Sequence, residues 1–290
     1  MRQGFPRMLT YGLAVVALAC VAASGTAIGN RGDRDTGRSV HMLTNSPSGE
    51  AIPVGDLPGW KQVYRQEFTR DVALGAWPGP YRDSVDYYAD GTPDTRGQRG
   101  GPGRYHPSDV ISVSDGVLRK HLHTDGGVAR VATILPIIRG DEHGFVGQRY
   151  GRFAVRFRAD ALEDYKIAWL LWPTSDDWDD GEINFPEGHL PDTIEGFSHP
   201  VGTGRPSPEL EHPVVDTGER FTEWHTAVIE WTPGRVDFIL DGETVGSITD
   251  HVPTATMRWT LQTETSLFKD PDPGVAGDVE IDWMAVWRPT

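Results

Sequence analysis

Residues 181–188 read Gly-Glu-Ile-Asn-Phe-Pro-Glu-Gly and set two carboxylates, Glu182 and Glu187, five positions apart with Asn184 between them. Two acids on a common face can cleave a glycosidic bond with retention: one attacks the anomeric carbon, and the other protonates the leaving oxygen and then activates water. A strand sends alternate side chains to opposite faces, so Glu182 and Asn184 share a face, Ile183 and Phe185 take the other, and Glu187 falls out of phase. One extra residue in a β-bulge restores the phase, and Pro186, which cannot donate to a ladder, suits such an interruption. The carboxyls of a retaining pair lie about 5 to 5.5 Å apart. Four rungs of a strand span roughly 13 Å at ~3.3 Å per residue, so the bulge and inward-leaning side chains must close the gap. A bare pair at this spacing reads first as ordinary solvated surface charge; the neighbouring residues separate the two readings.

The run Ala-Trp-Leu-Leu-Trp-Pro at 168–173 reads as a buried strand, and Trp178 follows inside the acidic loop 176–180. An aromatic ring beside a carboxylate pair grips the apolar face of a sugar. Trp169 reads as core packing, Trp178 as a sugar platform, and Trp172 as either.

The elements that must position these groups are strands. Phe153, Val155 and Phe157 alternate with Arg152, Arg156 and Arg158; Val236, Phe238 and Leu240 alternate with Arg235 and Asp237. Val279, Ile281, Trp283, Ala285 and Trp287 form one face near the end of the chain. Alternation bounded by Asp-Gly pairs at 115–116, 125–126 and 241–242 predicts antiparallel hairpins. With no convincing long helix, the fold class is all-β, a two-sheet antiparallel sandwich or jelly roll over residues 56–290.

In order along the chain, Arg-Gln-Glu-Phe (65–68), Ser-Asp-Gly-Val-Leu-Arg (114–119), Tyr-Gly-Arg-Phe-Ala-Val-Arg (150–156), the acid motif, 224–242 and Val-Glu-Ile-Asp-Trp-Met-Ala-Val-Trp (279–287) resemble glycoside hydrolase family 16. This resemblance to the laminarinase-like retaining endo-β-glucanases implies a concanavalin A-like jelly roll. It implies that Glu182 is the nucleophile and Glu187 the acid/base, and that position 184, usually Asp in the family, holds an orienting Asn184. An amide can donate to Glu182 and favour its ionised form, but it supplies no charge. His199, in Gly-Phe-Ser-His-Pro, stands where the family places a histidine that bonds sugar or the acids; a satisfied, partly buried histidine is the other reading. Gln262 resembles a cleft-facing position, with Trp259 as a second platform. Glu67 and Asp282 occupy places comparable to those of a structural calcium site in related proteins, with a salt-bridged or solvated reading beside it.

Arg2 and Arg7 precede an uncharged stretch whose apolar middle, 13–21, gives way to small residues, the layout of a signal peptide over 1–29. An uncleaved anchor is the rival reading. The only cysteine, Cys20, follows Ala17, Leu18 and Ala19, a partial match to a lipoprotein box. Residues 30–55, rich in Gly, Ser, Pro, Arg and Asp, read as a flexible tether. The chain is thus expected to be secreted or to face outward on the cell envelope. Its net charge of −15 disfavours nucleic acid and other polyanions and favours a neutral glycan. No G-x-S-x-G elbow, Walker loop or H-E-x-x-H helix is present, and His121 with His123 lacks a third metal ligand. The reading is an exported monomer that hydrolyses β-1,3- or mixed-linkage β-glucan without an organic cofactor. A catalytically silent sugar-binding jelly roll and a cell-wall transglycosylase are its alternatives.

Overall fold

The computed structural model describes residues 46–138, 147–202 and 215–290. The leader expected over 1–29, Cys20 and the first part of the expected tether lie outside the described residues.

Two sheets face one another. The smaller runs in the order β13 (Val215–Arg220), β12 (Thr193–His199), β11 (Glu182–His189), β10 (Tyr165–Pro173), β17 (Met257–Thr265), β8 (Thr133–Pro136) and β2 (Val85–Tyr87). The larger runs β16 (Glu243–Ile248), β15 (Arg235–Leu240), β14 (His225–Thr232), β9 (Gly151–Ala159), β18 (Gly277–Pro289), β6 (Val117–Asp125), β7 (Val128–Val131), β4 (Gly103–Tyr105) and β3 (Thr92–Pro93). In that sheet β1 (Trp60–Glu67) also pairs with β18, and β5 (Ile111–Ser114) with β6. All pairings are antiparallel except β4 with β7. Interleaved pairing of strands distant in sequence makes this the expected jelly-roll sandwich. Asp115-Gly116 and Asp241-Gly242 both have positive φ, as two-residue hairpin turns require. At the third hairpin the turn is Gly126-Gly127, one residue later than the Asp-Gly pair suggested.

The inward face of each strand is apolar because alternation leaves it no water. Phe157 meets Trp169 at 5.0 Å between ring centroids, Phe153 meets Trp259 at 5.7 Å, and Phe185 meets Phe238 at 5.3 Å, all between the sheets. Trp169 is therefore core, as expected. Lys120 crosses the same layer: its buried Nζ donates to the Leu261 carbonyl at 2.7 Å and Thr263 Oγ1 at 3.2 Å, tying β6 to β17. Burial lowers its pKa to about 7.

The last strand departs from the simple alternation expected of it. Against β9, Ile281 pairs with Phe157 and Trp283 with Arg156, so Asp282 is an inserted residue. The insertion flips the phase: Val279, Ile281, Met284 and Val286 join the inter-sheet core, while Trp283, Ala285 and Trp287 turn to the outer face. Two outward tryptophans need cover, and residues 46–55 supply it. Ile52 joins their apolar cluster, Trp283 Nε1 donates to the Glu50 carbonyl at 2.9 Å, and Trp287 Nε1 donates to the Gly55 carbonyl at 2.9 Å. The described part of the expected tether is thus an integral outer layer, held because each large apolar side chain withdrawn from water contributes about 1.5–3 kcal/mol.

Asp282 itself anchors this layer, accepting hydrogen bonds from Ser46 Oγ and Ser48 Oγ, each at 2.5 Å, and from the Ser48 amide at 3.2 Å. Glu67 is exposed beside Arg65 at 3.8 Å and lies across from Trp283. Of the two acids named for calcium, Asp282 thus accepts from protein donors and Glu67 pairs with an arginine. Among the described residues no three His, Cys, Asp or Glu side chains cluster as metal ligands. His121 and His123 stack at 5.5 Å, and His121 Nδ1 bonds Asp278 at 2.7 Å.

Candidate active site

The acid motif forms β11, and its register shows the bulge directly. Against β10, Ala168 pairs with Glu187 and Leu170 with Asn184; against β12, Glu187 pairs with Glu195 and Asn184 with Phe197. On both sides three steps in β11 match two in its neighbour, so one residue at 185–186 is extra. Glu187 thereby returns to the face of Glu182 and Asn184, while Ile183 and Phe185 stay buried in the core.

Residues directly opposite in antiparallel strands share a face, which maps the rest of the cleft floor. Glu187, Ala168 and Gln262 form one row, and Asn184, Leu170 and Thr260 the next. Glu182 lies opposite His199 on β12. Trp172 follows Leu171, the partner of Ile183, and so borders Glu182 on the cleft face. Trp178, on a short turn after β10, meets Trp172 at 5.6 Å and His199 at 4.9 Å. Trp172, Trp178, Ser175, Asp176 and Asp177 line an open pocket of about 390 Å³. Glu182, Glu187, Asn184, Trp172, Trp178, His199 and Gln262 are therefore brought to one surface.

Trp259 is not among them. It pairs with Leu171, is 1 % exposed and packs on Phe153 between the sheets. Alternation explains the difference: Arg258, Thr260, Gln262 and Glu264 take the cleft face of β17, so Trp259, at an odd offset from Gln262, must face inward.

Burial raises both acids above the ordinary carboxyl range, Glu182 to about 7, because charge is costly away from water. At Glu182 the hydrogen bond from Asn184 and the Lys166 charge oppose the rise. At Glu187 the Lys166 charge opposes it, while the Glu182 charge adds to it. Two interacting carboxyls titrate as a pair, and a two-carboxylate retaining reaction starts from the state of such a pair with one carboxylate and one carboxylic acid. Asn184 Oδ1 and Glu187 Oε2 are buried atoms with no hydrogen-bond partner, placed to meet polar groups of a ligand lying over the strand.

Sequence reasoning missed Lys166 and Glu264, which pair across β10 and β17 on the cleft face. The signal was present: Lys166 is the one charged residue of an otherwise apolar strand, and Glu264 stands two positions after Gln262, so both are in phase with the cleft positions. Glu264 Oε1 accepts hydrogen bonds from Tyr105 Oη at 2.5 Å and Thr95 Oγ1 at 2.8 Å. Asp94, buried beneath, accepts bonds from the Gly97 amide at 2.6 Å and Thr265 Oγ1 at 2.8 Å.

Comparison with known proteins bears on this geometry. Residues 146–285 match the family model described as glycosyl hydrolases family 16. No curated protein matches the sequence. Among solved structures, the catalytic domain of an endo-1,3-beta-glucanase (laminarinase) from Thermotoga petrophila is 19% identical, covering 82% of this chain and 100% of its own, with a TM-score of 0.59. The endo-beta-1,3-glucanase from Pyrococcus furiosus is 16% identical over 82% of this chain and 99% of its own, with a TM-score of 0.63. LamA from Z. galactanivorans, solved in complex with laminaritriose and laminaritetraose, is 18% identical over 78% of this chain and 98% of its own, with a TM-score of 0.59. At these identities the structures speak to the fold, and the family match carries the classification. With its bulged acid strand on the floor of a laminarinase-like jelly roll, the stretch 146–285 belongs to glycosyl hydrolases family 16, and the chain is a glycoside hydrolase.

Proposed function

We propose that the chain is an exported, monomeric, endo-acting β-glucan hydrolase that works with retention, Glu182 being the nucleophile and Glu187 the general acid/base. The single observation that carries this reading is the bulge at 185–186, which puts both buried acids on one floor beside the Trp172 and Trp178 pocket. In the first step the Glu182 carboxylate forms a bond to the anomeric carbon. The glycosidic C–O bond breaks, and Glu187 gives its proton to the departing oxygen. In the second, Glu187 takes a proton from water, whose oxygen attacks the same carbon and frees Glu182. No organic cofactor enters either step. The laminarioligosaccharides bound by the Z. galactanivorans neighbour and the negative charge of this chain both favour a neutral β-1,3- or mixed-linkage glucan. Digesting laminarin and barley β-glucan, and following the anomeric proton of the first product by NMR, tests it. A β product from either supports the reading, and an α product or no cleavage of any neutral glucan overturns it.

Two smaller effects follow from the floor. Trp178→Ala removes a ring from the pocket wall, so affinity for laminarioligosaccharides should fall by about 1–2 kcal/mol, roughly five- to thirtyfold. Titration calorimetry on a Glu182→Gln background measures it. Asn184→Asp replaces a donor to Glu182 by a charge between two acids. Both carboxyl pKa values should rise, moving the acid and basic limbs of the rate profile to higher pH together, by about one unit for each ~1.4 kcal/mol of added repulsion. A profile that overlays the parent's would show that position 184 does not tune the pair.

A further inference from the structure

Lys166 has no part in the scheme above, yet it is largely buried on the cleft floor, and its Nζ lies 3.1 Å from Glu187 Oε1. Both side chains are close to nine-tenths buried, at 12% and 11% exposed. On its other side Lys166 stands opposite Glu264, which is itself fixed by the Tyr105 hydroxyl and by Thr95. Oε1 of Glu187 is thereby occupied, and Oε2 is left without a partner.

We propose that Lys166 is a positioning residue for the reaction: its ammonium, standing opposite Glu264 on the next strand, fixes Oε1 of Glu187 and leaves Oε2 as the oxygen that delivers the proton to the leaving group. The proposal rests on the assignment of Glu187 as the acid/base. An acid held by one oxygen cannot rotate freely, so its second oxygen stays aimed at the scissile bond, which is the geometry proton transfer needs. The charged and titratable groups facing this contact are Glu182 and His189 from β11, Glu195 and His199 from β12, and Glu264 from β17. Burial works against the Lys166 charge, but Glu187 and Glu264 outweigh it and hold the ammonium above the ordinary lysine pKa. It remains a cation throughout the working range. A fixed cation favours the ionised form of Glu187, so removing it raises the Glu187 pKa and carries the basic limb of the profile upward.

The test uses the full chain with Lys166→Met, Lys166→Gln and Lys166→Arg, and compares kcat/KM on laminarin with kcat/KM on a dinitrophenyl β-glycoside of a short laminarioligosaccharide. The dinitrophenolate departs without a proton. Lys166→Met should slow laminarin hydrolysis roughly ten- to a hundredfold, within the span of general acid catalysis, and leave the dinitrophenyl substrate within a factor of about two. Its basic limb should move to higher pH, Lys166→Gln should show the same limb shift, and Lys166→Arg should restore the parent profile. Equal losses on both substrates, or a basic limb that stays in place, would overturn the proposal. A parent chain inert toward both substrates would instead defeat the β-glucan hydrolase reading. In that event a carbon NMR titration of the Glu187 carboxyl, assigned by its loss in Glu187→Gln, still decides the contact: a titration point unchanged in Lys166→Gln overturns it.

Discussion

Glu182→Gln is expected to lower turnover on laminarin by more than about a thousandfold, or ~4 kcal/mol of barrier, while laminarioligosaccharide affinity stays within a factor of a few. The asymmetry follows from the chemistry of the swap. Glutamine keeps the size of the side chain and a hydrogen-bonding carbonyl, so the floor between Asn184 and His199 is little disturbed. It cannot displace the leaving group at an anomeric carbon, because its amide oxygen carries no charge to share. A sugar-binding jelly roll without catalysis would have no turnover to lose. Steady-state rates and calorimetry on one preparation separate the two, and an active Glu182→Gln chain would remove Glu182 from the nucleophile's role.

Glu187→Ala should cost roughly 10²- to 10⁴-fold on laminarin, the usual range for loss of a general acid and base. Added azide should recover part of that rate on a dinitrophenyl glycoside. Without Glu187, leaving-group departure on this activated substrate still proceeds, but water is no longer activated at the second step, and the glycosyl-enzyme accumulates. Azide needs no base, fits the space left by the carboxylate, and should yield the β-glycosyl azide, whose configuration reports retention. An α-azide, or no azide adduct under any condition, would mean that the two acids do not divide the work as proposed. Loss of Glu187 also leaves Lys166 without its nearest counter-charge on the cleft floor. The thermal midpoint of Glu187→Ala is therefore expected to fall, since removing one partner of a buried pair costs about 3–5 kcal/mol. Rates are best read well below that midpoint.

Much of the site was legible before any coordinates. The out-of-phase Glu187 beside Pro186 called for a bulge, and the register of β11 against both neighbours contains one. Trp169 in the core and Trp178 at the cleft match the reading from strand pattern and loop polarity, whereas Trp172, open in an all-apolar run, is placed at the cleft by the strand register. Trp259 was equally legible, because its three-residue offset from Gln262 forbids both from facing the cleft on an unbulged strand. The bulge at Asp282 was not. After it every residue from Trp283 to Trp287 is apolar, so no alternation of polarity marks which of them turned outward. Residues 46–55 read as a tether on their Gly, Ser and Pro content, which carries no sign of the outward tryptophans they cover.

The sequence by itself determined the all-β sandwich, the acid pair on a bulged strand and the family resemblance, because all three are written in local alternation, turn residues and short ordered motifs. Only the tertiary structure decided that Lys166 meets Glu187, that Glu264 stands opposite it on the next strand and that residues 46–55 form an outer layer. Those facts depend on the register between strands far apart in the chain and on how deeply each charge is buried. A side-chain period of two fixes which residues share a face, but the partner across the ladder is set by the pairing of distant segments, which no local pattern specifies.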